Sequence, residues 1–223
     1  MAKKKNYPAN LLKYVKFNET YGFHIDYDNL TDDQLQGLEY ILENVMSERN
    51  KLLLDLRYKK CMTYKEITTE CNLTENRTQQ LFREIHRRLS KLDGWAAYVP
   101  NGFVGHTEYL KNLLTHAESL YCGERGIENS THIYYQDLEQ LGLTTYACHC
   151  FRRAGVQTVR ELTIYMAFKR RTRGVGEKTL QMTYDALKAE KLIPADYKPK
   201  EQRKSSDLDN TLSAFVELVR YTV

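Results

Sequence analysis

Residues 47–92, SERNKLLLDLRYKKCMTYKEITTECNLTENRTQQLFREIHRRLSKL, constrain the fold most, because they carry two helix starts with a turn residue between them. Thr63 and Glu66 have the Ser/Thr-x-x-Glu spacing in which two orphan backbone donors at a helix start are satisfied reciprocally. Asn72 is a residue type that tolerates the left-handed conformation, and Thr74 is a second capping residue. The pattern predicts helix, tight turn, helix. On a 3.6-residue wheel Thr78, Leu81, Ile85, Leu89 and Leu92 gather on one side of the second helix. Asn76, Gln79, Gln80, Arg83 and Arg87 gather on the other. Asn and Gln can pair bidentately with adenine, and Arg suits guanine edges or phosphates, so this outer face has the chemistry of a major-groove reader.

Charge follows the same division. The whole chain of 223 residues has a formal charge of +4. Residues 47–92 hold eleven Lys/Arg against six Asp/Glu, whereas residues 1–46 hold five against seven. A basic element beside an acidic one is the footprint expected for contact with a phosphate backbone. The length exceeds the usual single-domain size, which predicts two small domains and a connection.

Several classes are expected to be absent. The five cysteines Cys61, Cys71, Cys122, Cys148 and Cys150 form no CxxC pair, and no secretory leader or membrane-length apolar run stands out. A cytoplasmic protein with no disulfide framework, no membrane association and no metal is expected; Cys148-His149-Cys150 lacks a second ligand pair at zinc-site spacing. With no phosphate-cradling glycine loop, HExxH or nucleophile–base signature, no catalytic residue, cofactor or small-molecule substrate is expected.

Along the chain the expectation is all-α. Residues 1–28 show no period but are rich in Tyr and Phe. A capping box at Thr31 and Gln34 and the stripe Leu35, Leu38, Ile41, Leu42 predict a helix over 32–45. Another is expected over 48–58 with Leu52, Leu53 and Leu56 inward, closing a four-helix unit over 29–93. Gly, Pro and Asn-Gly signals in 94–104 predict a joint, and 94–132 reads as a connector with one helix over 107–121. A second domain is expected over 133–194, with glycine turns FRRAGV and RGVGEKTL between helices. In the latter, Gly174 and Gly176 would let backbone N–H groups approach a phosphate, surrounded by Arg170, Arg171, Arg173 and Lys178. Residues 195–223 read as a charged linker, too polar to order itself, and a last helix with Leu212, Phe215, Val216 and Val219 on one face.

Two family resemblances attach to these motifs. ERNKLLLDLRY, TYKEI, NLTENRTQQL and RRLSKL resemble region 4 of the bacterial primary sigma factors, which binds the promoter −35 element and the flap of the polymerase β subunit. That resemblance implies base-facing roles for Glu75, Asn76, Gln79 and Gln80, with Arg77 matching a usual arginine; Glu75 and Gln79 stand where basic residues are common. DLEQLGL, CFRRAGVQTVREL and RGVGEKTLQMTYDAL are similar to the C-terminal domain of the RNA polymerase α subunit, a helix-hairpin-helix fold that binds the A·T-rich minor groove. There Tyr146 replaces the inserted arginine, His149 a nearby asparagine, and Gly174 a second asparagine. Together they imply a bacterial, plasmid or phage transcription regulator, not a complete sigma factor, with duplex DNA and RNA polymerase subunits as partners. The alternative is an adaptor that mimics sigma and α surfaces with little DNA affinity. A helix-hairpin-helix accessory factor of DNA repair or mobilisation has no residue that selects it.

Overall fold

The computed structural model describes residues 7–170, 172–202 and 204–220, and these are all-α, with two isolated β-bridges and no strand. The chain divides into two compact units, Met1–Tyr109 and Leu110–Val223.

The first unit starts with α1 (Ala9–Tyr14) and α2 (Phe17–Tyr21). α3 (Asp32–Val45) begins at the Thr31–Gln34 capping box and buries Leu38, Ile41 and Leu42. α4 (Glu48–Leu54) runs into a π-helical turn over Asp55–Lys59. Leu53 and Leu56 are buried as expected, but Leu52 is 52% exposed and Leu54 takes its place. The buried stripe of α4 is Asn50, Leu53, Leu54, at helical spacing, and Leu52 lies off it; the wider π turn then resets the register so that Leu56 and Tyr58 also face in. α5 (Tyr64–Glu70) and α6 (Glu75–Leu89) follow.

The aromatic start of the chain covers the end of α6. The Tyr21 hydroxyl donates to the Leu89 carbonyl at 2.6 Å, one of the acceptors that a helix C-terminus leaves open, and accepts from the Leu92 amide of the chain beyond it at 2.9 Å. Residues 94–104 are likewise no open joint. A 3-10 turn (Asp93–Ala97) and α7 (Tyr98–Asn101) pack on α3, with Tyr98 and Val99 buried and Trp95 tilted against Tyr40 at 5.5 Å. The turn signals end helices correctly; the aromatic residues among them supply the surface that buries the segment. α8 (Phe103–Arg125) is longer than the expected 107–121, and Asp33 accepts from the Val104 and Gly105 amides at its start.

The second unit contains the rest of α8, 3-10 turns at Ile133–Tyr135 and Leu138–Leu141, α9 (Thr145–Arg153), α10 (Val159–Met166), α11 (Glu177–Ala189) and α12 (Asp207–Arg220). α12 docks on its own unit: Ala214, Phe215 and Leu218 are buried in the core, and Phe215 meets Tyr121 at 5.3 Å. Of the expected stripe, Phe215 is fully buried, while Leu212, Val216 and Val219 are half-buried. The charged stretch before it is anchored rather than loose. Tyr197 is buried with its hydroxyl donating to the Ala167 carbonyl at 2.9 Å, and the Lys169 amide donates to the Lys200 carbonyl at 2.8 Å. One aromatic anchor and a backbone bridge outweigh the polar composition; Arg203 lies outside the described residues.

An ion pair inside this unit yields an acid-stability prediction. Glu118 receives Arg160 Nε and Nη2 at 2.5 and 2.7 Å and the Tyr134 hydroxyl at 3.0 Å. Burial pushes the Glu118 carboxyl up, but Arg160 and Tyr134 together outweigh it and hold the group below its ordinary value. A depressed folded-state pKa gives stability that is present above the unfolded value and lost as pH falls through the folded one. The wild-type melting temperature should therefore drop more between pH 7 and pH 3, on either side of the ordinary glutamate value of about 4.3, than that of Glu118→Gln. Equal drops in circular-dichroism melts would count against this.

Candidate nucleic-acid interface

The position of α6 is set from its buried side outward. Thr63 Oγ1 accepts from the Glu66 amide at 3.3 Å, and the Glu66 carboxylate accepts from the Thr63 amide at 2.6 Å, fixing the start of α5. The Thr63 amide, and the Thr63 hydroxyl that donates to the same carboxylate at 2.8 Å, hold the exposed Glu66 carboxyl below its ordinary range. Asn72 takes a φ of 51°, the left-handed turn, and Thr74 Oγ1 then accepts from the Arg77 amide at 3.3 Å to begin α6. Between the helices the Thr68 and Thr78 hydroxyls lie 3.1 Å apart, Thr78 being fully buried. Leu81, Phe82, Ile85 and Leu89 fill the interface, and Tyr64 meets Phe82 edge-on at 5.0 Å. Arg57 stacks over Tyr64 at 4.6 Å and donates to the Met62 carbonyl at 2.7 Å, pinning the chain that enters α5.

With that side fixed, Glu75, Asn76, Arg77, Gln79, Gln80, Arg83 and Arg87 are all exposed on α6. Arg77 reaches Gln80 Oε1 at 3.4 Å, a long contact. Among the described residues no carboxylate pairs with Arg83 or Arg87, whereas the neighbouring Arg88 is spent on Glu84 at 3.0 Å and on the Val45 carbonyl. Glu75 in the first turn and His86, Arg87 and Arg88 in the last complement the helix dipole.

Of the second group, Arg173, Gly174 and Gly176 lie on the turn between α10 and α11 and Lys178 in the first turn of α11, and all four are exposed. The two glycines differ. Gly174, at φ 85°, faces α9: a Cβ there would stand 3.0 Å from Tyr146 Oη and 3.1 Å from Cys150 Sγ. Its positive φ favours glycine, and its bare Cα also serves packing against α9. A Cβ at Gly176 would meet nothing within 4 Å, and this residue caps α11 without a side chain, so its approach is open. Glu177 occupies the first turn of α11 and shares that positive helix end. Arg170 turns inward and is half-buried, and Arg171 lies outside the described residues.

Packing brings two further side chains to this turn. Tyr146, 60% exposed, and Arg153, whose Nη2 is 3.1 Å from Cys150 Sγ, stand beside Gly174. Arg153 sits in the FRRAGV motif, but its spacing from RGVGEK gives no sign that the two turns meet. Cys148 and Cys150 are buried while His149 is exposed, and no group of three metal-ligating side chains occurs among the described residues. No helix among them is long and apolar enough to cross a membrane.

No protein-family model, curated protein or solved structure matches the chain.

Proposed function

We propose that this chain is a DNA-binding transcription regulator that presents α6 to the major groove of duplex DNA and engages bacterial RNA polymerase. It acts by binding, without chemistry of its own. One observation carries the reading: the helix-turn-helix packing leaves Asn76, Gln79, Gln80, Arg83 and Arg87 together on the exposed side of α6. Amides for base edges and guanidinium groups for phosphates are the side chains such a face requires. Arg173 and Lys178 would add phosphate contacts from the second unit.

The test is fluorescence anisotropy of the intact protein on a labelled random-sequence duplex across a salt series. Each phosphate neutralised contributes about 0.9 to the slope of log affinity against log salt. Arg83→Ala with Arg87→Ala should therefore flatten the slope by about 2. Arg173→Ala with Lys178→Ala should flatten it as well if the turn meets the backbone. Acidic Glu75 and Glu177 in the first turns of α6 and α11 favour the other reading, a polymerase-binding adaptor that mimics sigma and α surfaces. Absence of binding at low salt would select that adaptor and reject the regulator.

A further inference from the structure

Beside the α10–α11 turn a cleft of about 490 Å³ opens within the second unit, lined by Tyr165, Phe168, Lys169, Arg170, Leu180 and Tyr184, with Glu201 at its edge. This volume lies in the range of small-ligand sites, and its walls combine aromatic and aliphatic faces with a few charges, as such sites do. Lys169 is held by Glu201 at 3.2 Å, both on the exposed rim. Arg170 has no carboxylate partner among the described residues. Its guanidinium lies 4.6 Å over the Tyr165 ring and 5.8 Å from that of Phe168, and its Nε is buried with no hydrogen-bond acceptor. Desolvation lowers the Arg170 pKa, and the charges of Tyr165 and Asp207 act against it without cancelling it.

A half-buried cation with an unsatisfied donor is costly unless an anion meets it. We propose that this cleft binds a small organic anion, its oxyanion held by Arg170 and Lys169 and its flat apolar body against Phe168, Leu180 and Tyr184. Arg–oxyanion contacts are charge-assisted and geometrically specific, and the ring beneath Arg170 keeps the guanidinium fixed for them. The same Tyr165 donates to or accepts from Thr172 Oγ1 at 3.0 Å, two residues before Gly174, so the cleft wall is joined to the turn that carries Arg173. The site does not depend on DNA binding by α6.

The probe is 8-anilinonaphthalene-1-sulfonate, an aromatic anion whose fluorescence rises when it leaves water, titrated into the full chain. Saturable one-to-one binding is expected. The uncharged N-phenyl-1-naphthylamine should bind at least about tenfold more weakly, as should the sulfonate to Arg170→Met, which keeps the apolar stem but loses the charged hydrogen bonds. Glu201→Gln, which frees Lys169, should tighten binding, and Lys65→Ala, which removes an exposed cation from α5, should leave it unchanged. Circular dichroism checks each variant; if Arg170→Met fails to fold, Lys169→Gln must weaken binding in its place. No saturable binding, or equal affinity for the charged and uncharged dyes or for wild type and the substituted cation, overturns the proposal. Displacement of the dye by a short duplex would assign the cations to nucleic-acid phosphate and overturn it also.

Discussion

Gly37→Ala should destabilise the first unit by about 3 kcal/mol or more, at the upper end of what overpacking a core costs. A Cβ at this position would stand 1.9 Å from the Tyr98 carbonyl oxygen, 2.7 Å from its carbon and 3.3 Å from the Phe103 nitrogen. All three are backbone atoms, so no flexible side chain can swing away; α7 would have to separate from α3. That separation would break the Gln34 contact to the Pro100 carbonyl at 3.0 Å and the Asp33 contacts that begin α8. The single tryptophan, Trp95, lies against Tyr40 and Tyr98 in this same region and gives a built-in reporter. Urea unfolding followed by its fluorescence should show a much lower midpoint with an unchanged slope. Gly123→Ala is the control: it adds a methyl in the helix α8 with nothing within 4 Å, and should gain up to about 1 kcal/mol. If the two variants unfolded alike, the close approach of α7 to α3 would be refuted.

Gly37 also marks what the sequence could not show. Inside a helical pattern an isolated glycine reads as a tolerated weakness, because the atom it makes room for belongs to a carbonyl sixty-one residues later. Local chemistry, by contrast, was legible. The capping boxes at Thr31 and Thr63 and the left-handed Asn72 are short-range events decided within four residues, and each takes the form its residues dictate. The stripe of Thr78, Leu81, Ile85 and Leu89 was legible for the same reason, since one helical period fixes it. Leu52 was misplaced because a period holds only while the helix stays α, and the π turn after Leu54 alters it. The candidate site divides along the same line. The exposed row on α6 follows from its own wheel, whereas the meeting of Tyr146, Arg153 and Gly174 joins segments more than twenty residues apart. Composition misled at 195–206, where Tyr197 anchors a stretch whose average polarity argued for disorder.

Under the proposed reading, Asn76→Ala combined with Gln80→Ala should cost about 2 to 6 kcal/mol of discrimination on a selected DNA site, since each bidentate base contact contributes about 1 to 3 kcal/mol. Both side chains are exposed and bear no packing, so the α6 fold and the melting temperature should hold. Non-specific affinity and its salt slope should hold too, because neither amide carries charge. Gln80 has one local partner, Arg77, at 3.4 Å. Truncating Gln80 releases that guanidinium without removing it, so any change in backbone affinity should be upward. Arg83→Ala with Arg87→Ala should do the reverse, lowering affinity on every sequence while leaving the ranking of sites intact. The two pairs share one helix face, and only their chemistry separates the outcomes. Competition binding against a panel of single-base variants of the selected site distinguishes them. Uniform loss across the panel from the Asn76/Gln80 pair would move those residues to the phosphate backbone, and silence from both pairs would remove α6 from the groove.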